Sequence, residues 1–255
     1  MKLLKSMLKK LSRPRVIAVI ILFVLVIAGG IFFWLRQSLP AQEEAARYLE
    51  SSEQVEVVRG DDVIEFWPRS RENYDSGIIF YPGAQVEAEA YAALASILAE
   101  AGYPVFLVEM PFQLSILGWD RAEDIMAANR ENISSWTMAG HSLGGAMSAR
   151  FVSREQPPAV ENLLLLAAYP AAGEDLSQKK ISVLSIYGSE DEIINLERLQ
   201  ERTSLLPADA RMKTLEGANH AGFGQYGEQE GDGEAKISGE EQRQMAVQII
   251  LEFLE

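Results

Sequence analysis

The feature that most constrains this chain is the hexapeptide Gly140-His-Ser-Leu-Gly-Gly145. It stands between an apolar run, Trp136–Ala139, that reads as a strand and a run from Leu143 to about Ser153 that reads as a helix. Glycines on both sides let strand and helix backbones approach closely and allow Ser142 to sit on a sharp, strained turn. A helix starting at Leu143 aims unpaired N–H groups and its positive dipole end at that turn. A serine so placed has the setting of a nucleophile. The bland alternative is a glycine-rich strand-to-helix turn without chemistry.

A serine hydroxyl is a poor nucleophile at neutral pH unless a base assists it. The chain holds only two histidines. His141 lies inside the turn, and its side chain is expected to point away from Ser142. His220, in Leu215-Glu-Gly-Ala-Asn-His220, follows the last predicted strand and is therefore the candidate base. The group that orients it is sought after the penultimate predicted strand, in Tyr187-Gly-Ser-Glu-Asp191. Asp191 is the choice; Glu190 and Glu192 stand beside it, and spacing does not separate them. The chain order Ser142, Asp191, His220 differs from the orders of the chymotrypsin and subtilisin triads. An oxyanion also needs donors. The expected ones are the backbone N–H of Leu143 and, from the loop Tyr81-Pro-Gly-Ala-Gln85, that of Ala84, with Gln85 as second choice.

The surrounding pattern supports such a site. Gln54–Val58 and Val63–Trp67 flank Arg59-Gly-Asp-Asp62 and signal a hairpin. Short apolar strands are then predicted at 77–81, 105–108, 136–139, 163–166, 183–187 and 211–215. Between and after them, helices are predicted at 87–101, 120–129 (with Asp120 as N-cap), 143–153, 195–203 and 240–254. Alternation of this kind argues for a mostly parallel sheet flanked by helices. Met110–Trp119 is an apolar connection that lines an acyl pocket, touches a bilayer or packs on its own core. Residues 222–239, rich in glycine, are expected to form a mobile cover over the site. Asp232 and Glu234 in that loop do not have the spacing of an EF-hand.

The N-terminus is of another kind. Val16–Leu35 is twenty residues without a charge, preceded by six lysines and arginines and no acidic residue. A helix of that length matches the roughly 30 Å hydrocarbon core of a bilayer. The domain expectation is a basic cytoplasmic tail (1–15), a transmembrane signal anchor (16–35), a stalk (36–53) and a catalytic domain (54–255) outside the cytoplasm. A signal peptide cleaved near Ala28-Gly-Gly30 is the alternative. The other 220 residues hold 17 basic and 37 acidic groups, a net −20. So acidic a surface speaks against nucleic acid as a partner. With no cysteine, the chain has no disulfide and no thiol chemistry, and two histidines make a multi-histidine metal site unexpected. Neither metal nor cofactor is expected.

The motifs resemble the α/β-hydrolase superfamily, and more narrowly a group of small bacterial, dienelactone-hydrolase-like α/β-hydrolases. The matching blocks are Phe80-Tyr-Pro-Gly83, Val108-Glu-Met-Pro111, Gly140–Gly145, Tyr187–Asp191 and Asn219-His-Ala-Gly-Phe-Gly-Gln-Tyr-Gly227, across roughly residues 55–254. The resemblance implies an α/β-hydrolase fold with little or no cap and a Ser-Asp-His triad. One departure matters: true dienelactone hydrolases use a cysteine nucleophile, so their substrate is not carried over. The expected activity is hydrolysis of a carboxylic ester, on a small molecule or a lipid, through an acyl-enzyme. The alternatives are acyl transfer to an envelope or lipid acceptor, and a noncatalytic binding module on the same fold. Oligomeric state is not legible in the sequence.

Overall fold

The computed structural model describes residues 13–35, 38–70, 74–155 and 159–255. They fall into two units, one ending at Ser38 and one formed by Leu39–Glu255.

The first unit contains a single 23-residue helix, α1 (Arg13–Leu35), which takes in the whole apolar run. Among the described residues, no helix is long and apolar enough to cross a membrane.

The second unit is built on one eight-stranded sheet in the order β1-β2-β4-β3-β5-β6-β7-β8. Strands β1 (Val55–Arg59) and β2 (Val63–Pro68) form the hairpin expected around Gly60-Asp61-Asp62, with Val58 opposite Glu65. In β2, Ile64, Phe66 and Pro68 are buried and alternate with half-buried neighbours, the period-2 pattern of a strand covered mainly on one face. It pairs antiparallel with β4 (Val105–Val108). From there the sheet is parallel through β3 (Tyr74–Tyr81), β5 (Ile133–His141), β6 (Val160–Leu166), β7 (Ser182–Gly188) and β8 (Arg211–Leu215). All four residues of β4 and the last five of β3 are buried. Near-continuous apolar runs are what a parallel sheet with both faces covered demands.

Adjacent residues supply the two faces. Ile78 and Phe80 join the core with α2 (Ala92–Glu100) and α6 (Gly239–Leu254), through Leu94, Leu98, Ala246 and Ile250. Ile79 and Met138 join the core with α3 (Ala122–Asn129) and α4 (Leu143–Glu155), through Ala122, Met147 and Phe151. A short helix, α5 (Leu196–Arg202), precedes β8, and Asn195 caps it by accepting the Arg198 N–H at 2.8 Å.

Three expectations change. The helix read at 87–101 divides into a 3₁₀ turn, Ala88–Tyr91, and α2. Glu87 is held extended because its N–H donates to the Leu39 carbonyl (3.2 Å) and its carboxylate accepts the Ala41 N–H (3.0 Å). Asp120 does not cap α3 with its side chain: the cap position is Arg121, whose guanidinium reaches the Glu109 carbonyl and Asp62. The segment read as a stalk does not stand clear of the domain from Leu39 onward. Leu39 bridges Val86, the Gln42 N–H donates to the Gln225 carbonyl, and Ala45 is buried in a 3₁₀ turn, Glu43–Leu49. Apolar contacts of Leu39, Ala41, Tyr48 and Leu49 offset the ordering of this polar stretch.

Candidate active site

The carboxyl ends of the parallel strands bring the candidate residues together. Strand β5 ends at His141, α4 begins at Leu143, and Ser142 between them has φ 53°. That left-handed backbone costs a residue with a side chain about 1–3 kcal/mol. It is held by the Ser142 N–H donating to the Leu166 carbonyl (2.9 Å) and by the Ser142 carbonyl accepting the Ala146 N–H (3.1 Å). The glycines have steric reasons. A Cβ on Gly144 would run into the carbonyl oxygens of Tyr81 and Pro82, and one on Gly140 would lie 2.5 Å from the Gly144 carbonyl carbon. The elbow therefore presses against the loop expected to supply the oxyanion donor.

Asp191 and His220 meet after β7 and β8. His220 Nδ1 lies 2.8 Å from Asp191 Oδ2, and both side chains are buried. The other carboxylate oxygen, Oδ1, accepts the N–H groups of Ile193 (2.9 Å) and Ile194 (2.8 Å). An ionised carboxylate only accepts, so Nδ1 carries the proton and Nε2 is left with its lone pair. Nε2 is buried and has no hydrogen-bond partner. The structure records no hydrogen bond between Ser142 and His220. Glu190 is engaged elsewhere. Its partly exposed carboxyl takes bonds from Lys236 (2.8 Å) and Ser189 (2.9 Å), which hold it below the usual range of a glutamate. The geometry thus separates Asp191 from Glu190 where spacing does not.

The loop carrying His220 is pinned rather than loose. Asp232 accepts the N–H groups of His220 (3.2 Å), Ala221 (2.8 Å) and Gly233 (2.9 Å). The Asn219 side chain reaches the Gly233 carbonyl (2.9 Å), and Gln242, buried on α6, bonds the Asn219 N–H and carbonyl. Residues 222–239 therefore form a strap behind His220, and the Asp232 oxygens are occupied by N–H donors. No group of residues suited to a metal ion is present among the described residues. A cavity of about 440 Å³ lies beside this strap, lined by Asn219, Gly222, Gln225, Arg243 and Arg47 among others, and Ser142 does not line it.

His141 is enclosed by the rings of Tyr91, Phe223, Tyr226 and His220, the last with its centroid 4.5 Å away. Its Nδ1 lies 2.8 Å from the Tyr91 hydroxyl, which also accepts the Gly83 N–H at 3.1 Å. Burial, reinforced by the neighbouring His220, holds its pKa well below the ordinary imidazole value. The hydrogen bond between the Tyr91 hydroxyl and the neutral His141 ties the elbow to the Gly83 loop. In that loop the Gln85 N–H donates to the Gln113 carbonyl (2.7 Å), which removes Gln85 as an oxyanion donor. Ala84 is exposed beside it.

Sequence reasoning missed Tyr91 and Gln242; it named Asn219 only within a matching block and Asp232 only as a possible cation ligand. Tyr91 sits in an alanine-rich helical run, and Gln242 on an amphipathic helix, where nothing in the pattern marks a role.

The alpha/beta hydrolase family's profile matches residues 77–244. The chain belongs to the alpha/beta hydrolase family. This α/β-hydrolase finds no match among curated proteins. It is similar to a carboxylesterase from Bacillus subtilis, with 12% identity over 89% of this chain and 98% of that one and a TM-score of 0.57. An esterase from Mycobacterium tuberculosis is similar at 13% identity, over 83% and 96% of the two chains, with a TM-score of 0.58. A dienelactone hydrolase from Anabaena variabilis is similar at 16% identity, over 77% and 97%, with a TM-score of 0.56. These structures share the fold of this α/β-hydrolase.

Proposed function

We propose that the protein is a membrane-anchored serine hydrolase that cleaves a carboxylic ester through Ser142, His220 and Asp191. The observation that carries this reading is the buried Asp191–His220 pair, whose unengaged Nε2 belongs to the same strand-end cluster as the strained Ser142 elbow.

Ser142 Oγ attacks the ester carbonyl as His220 Nε2 takes its proton. Asp191 stabilises the imidazolium that forms and fixes the ring through Nδ1. Charge builds on the carbonyl oxygen, where the N–H groups of Leu143 and Ala84 receive it. The tetrahedral species collapses when His220 returns the proton to the departing alcohol, which leaves an acyl group on Ser142. Water, deprotonated by His220, repeats the sequence and releases the acid. No cofactor takes part. Ser142 is only partly buried, and water is the commonest acceptor at an open site.

Membrane anchoring is supported by the apolar run within α1 and the basic residues before it. The excess of lysine and arginine before the run supports a cytoplasmic N-terminus and a hydrolase domain outside.

A fluorophosphonate probe tests the chemistry. It is expected to label the wild type and not Ser142→Ala, and His220→Ala is expected to lose ester turnover by a factor of at least 10³. Wild-type turnover in His220→Ala would end the proposal, because the other histidine is bonded to Tyr91. Protease added to spheroplasts is expected to digest the hydrolase domain; protection would reverse the orientation.

A further inference from the structure

Met110–Trp119, the loop after β4, carries no charge, although the chain beyond residue 35 has a net −20. Phe112, Ile116 and Leu117 in this loop are about half exposed (48%, 47% and 54%). Among the described residues of Leu39–Glu255, only Val58 and Leu196 are comparably exposed large apolar side chains. The loop is tightly held. Phe112 and Gln113 both have left-handed backbone, φ 55° and 52°, which disfavours residues with side chains. Three hydrogen bonds fasten the loop to the end of β3 and the segment after it. Ser115 Oγ donates to the Pro82 carbonyl (2.8 Å), the Gln85 N–H to the Gln113 carbonyl (2.7 Å), and the Tyr81 hydroxyl to the Trp119 carbonyl (2.9 Å). Three apolar side chains are thus presented to the outside beside the Gly83–Ala84 turn.

Chain entry is the second observation. Leu39, where the compact unit begins, donates its N–H to the Gln85 carbonyl at 2.6 Å. Gln85 therefore bonds the entry point through its carbonyl and the apolar loop through its N–H. The apolar helix ends at Leu35. Four Cα steps of 3.8 Å limit Leu39 to about 15 Å from that residue. If the apolar run is the anchor proposed above, so short a connection keeps the entry point, and the loop fastened beside it, near the membrane surface.

We propose that Phe112, Ile116 and Leu117 dip into the bilayer interface, so that the site opens toward the membrane and draws from it the acyl ester of a membrane-resident amphiphile. This rests on the proposed hydrolase and membrane-anchor readings and names the substrate class. Repulsion between the acidic domain and anionic lipid means that the contact is apolar, works on uncharged vesicles and responds little to salt.

The full chain in phosphatidylcholine vesicles tests this with two esters, a soluble short-chain p-nitrophenyl ester and a long-chain fluorogenic ester embedded in the same vesicles. The triple variant Phe112→Ser, Ile116→Ser, Leu117→Ser is expected to keep soluble-ester turnover within about twofold and to lose at least tenfold on the embedded ester. Equal loss on both esters, or none on either, overturns the proposal. A second measurement does not depend on catalysis. The chain has no cysteine, so Ile116→Cys offers one site for an environment-sensitive fluorophore. Quenching by a lipid-borne nitroxide but not by iodide is expected, with the reverse for Glu131→Cys, which is exposed at the amino end of β5, the opposite end of the sheet from the loop. Iodide quenching equal at both sites overturns the proposal, as does shielding that persists without lipid and grows with protein concentration, the mark of a second copy. Should the wild type hydrolyse neither ester while the label is still lipid-quenched, the hydrolase reading fails and the membrane contact stands.

Discussion

At the scale of single residues, the Asp191–His220 bond makes a sharp claim about the third member of the proposed triad. Asp191→Asn keeps the shape but presents an amide to Nδ1 and favours the wrong tautomer. Its kcat is expected to fall by about 10²–10⁴. Glu190→Gln breaks a surface pair with Lys236, and its turnover is expected to stay within about threefold; steady-state kinetics of the two variants separates the carboxylates. His141 makes a different claim, about stability. Its folded-state pKa lies well below the ordinary 6.5. Above pH 6.5 both folded and unfolded chains hold it neutral. Below 6.5 the unfolded chain takes a proton that the folded chain refuses, so stability declines as pH falls toward the lowered folded value. Thermal unfolding at pH 7.0 and 5.5 is expected to show the wild type losing up to about 1.4 kcal/mol per pH unit more than His141→Gln. Parallel losses would contradict a buried neutral imidazole.

At the scale of elements, legibility followed the physics of each signal. Strands β4 and β8 coincide with their apolar or β-rich runs, and every predicted strand is present. The elbow was legible because sterics leave few residue types that fit beneath Tyr81 and Pro82. The strap was misread because glycine content suggests mobility, while its order comes from one carboxylate that no local pattern marks. Asp232 accepts the backbone N–H groups of His220, Ala221 and Gly233. Asp232→Ala strands those donors, each at about 1 kcal/mol or more. The expected result is a lower melting temperature and a kcat reduced about tenfold with KM little changed, partly rescued by Asp232→Asn, which retains one acceptor oxygen. An unchanged kcat in Asp232→Ala would show that the strap does not position His220. Chelator treatment is expected to leave turnover unchanged, because the Asp232 oxygens already serve N–H donors; inhibition reversed by calcium would mean that the strap binds a cation.

At the scale of the whole molecule, sequence and structure divide the chain at different places. Composition puts the start of the domain at Gln54, since 36–53 is polar and acidic with no strand signal. Packing puts it at Leu39, because long-range partners that leave no local trace absorb the segment. Removing 39–53 deletes the bonds of Leu39 to Gln85 and Glu87, of Ala41 to Glu87 and of Gln42 to Gln225. It also uncovers apolar surface around Ala45 and loosens Gln85, which fastens the Met110–Trp119 loop. A chain starting at Leu39 is expected to hydrolyse a soluble ester like the full protein. One starting at Gln54 is expected to be less stable by about 3 kcal/mol, a melting temperature lower by about 6–12 °C. The same loss reaches the proposed site, since the Gln85 carbonyl is left without the Leu39 N–H beside Ala84, the proposed oxyanion donor. Its kcat is therefore expected to fall even below its own melting transition. Equal melting and equal turnover for the two fragments would return the start of the working domain to Gln54 and leave 39–53 as a tether.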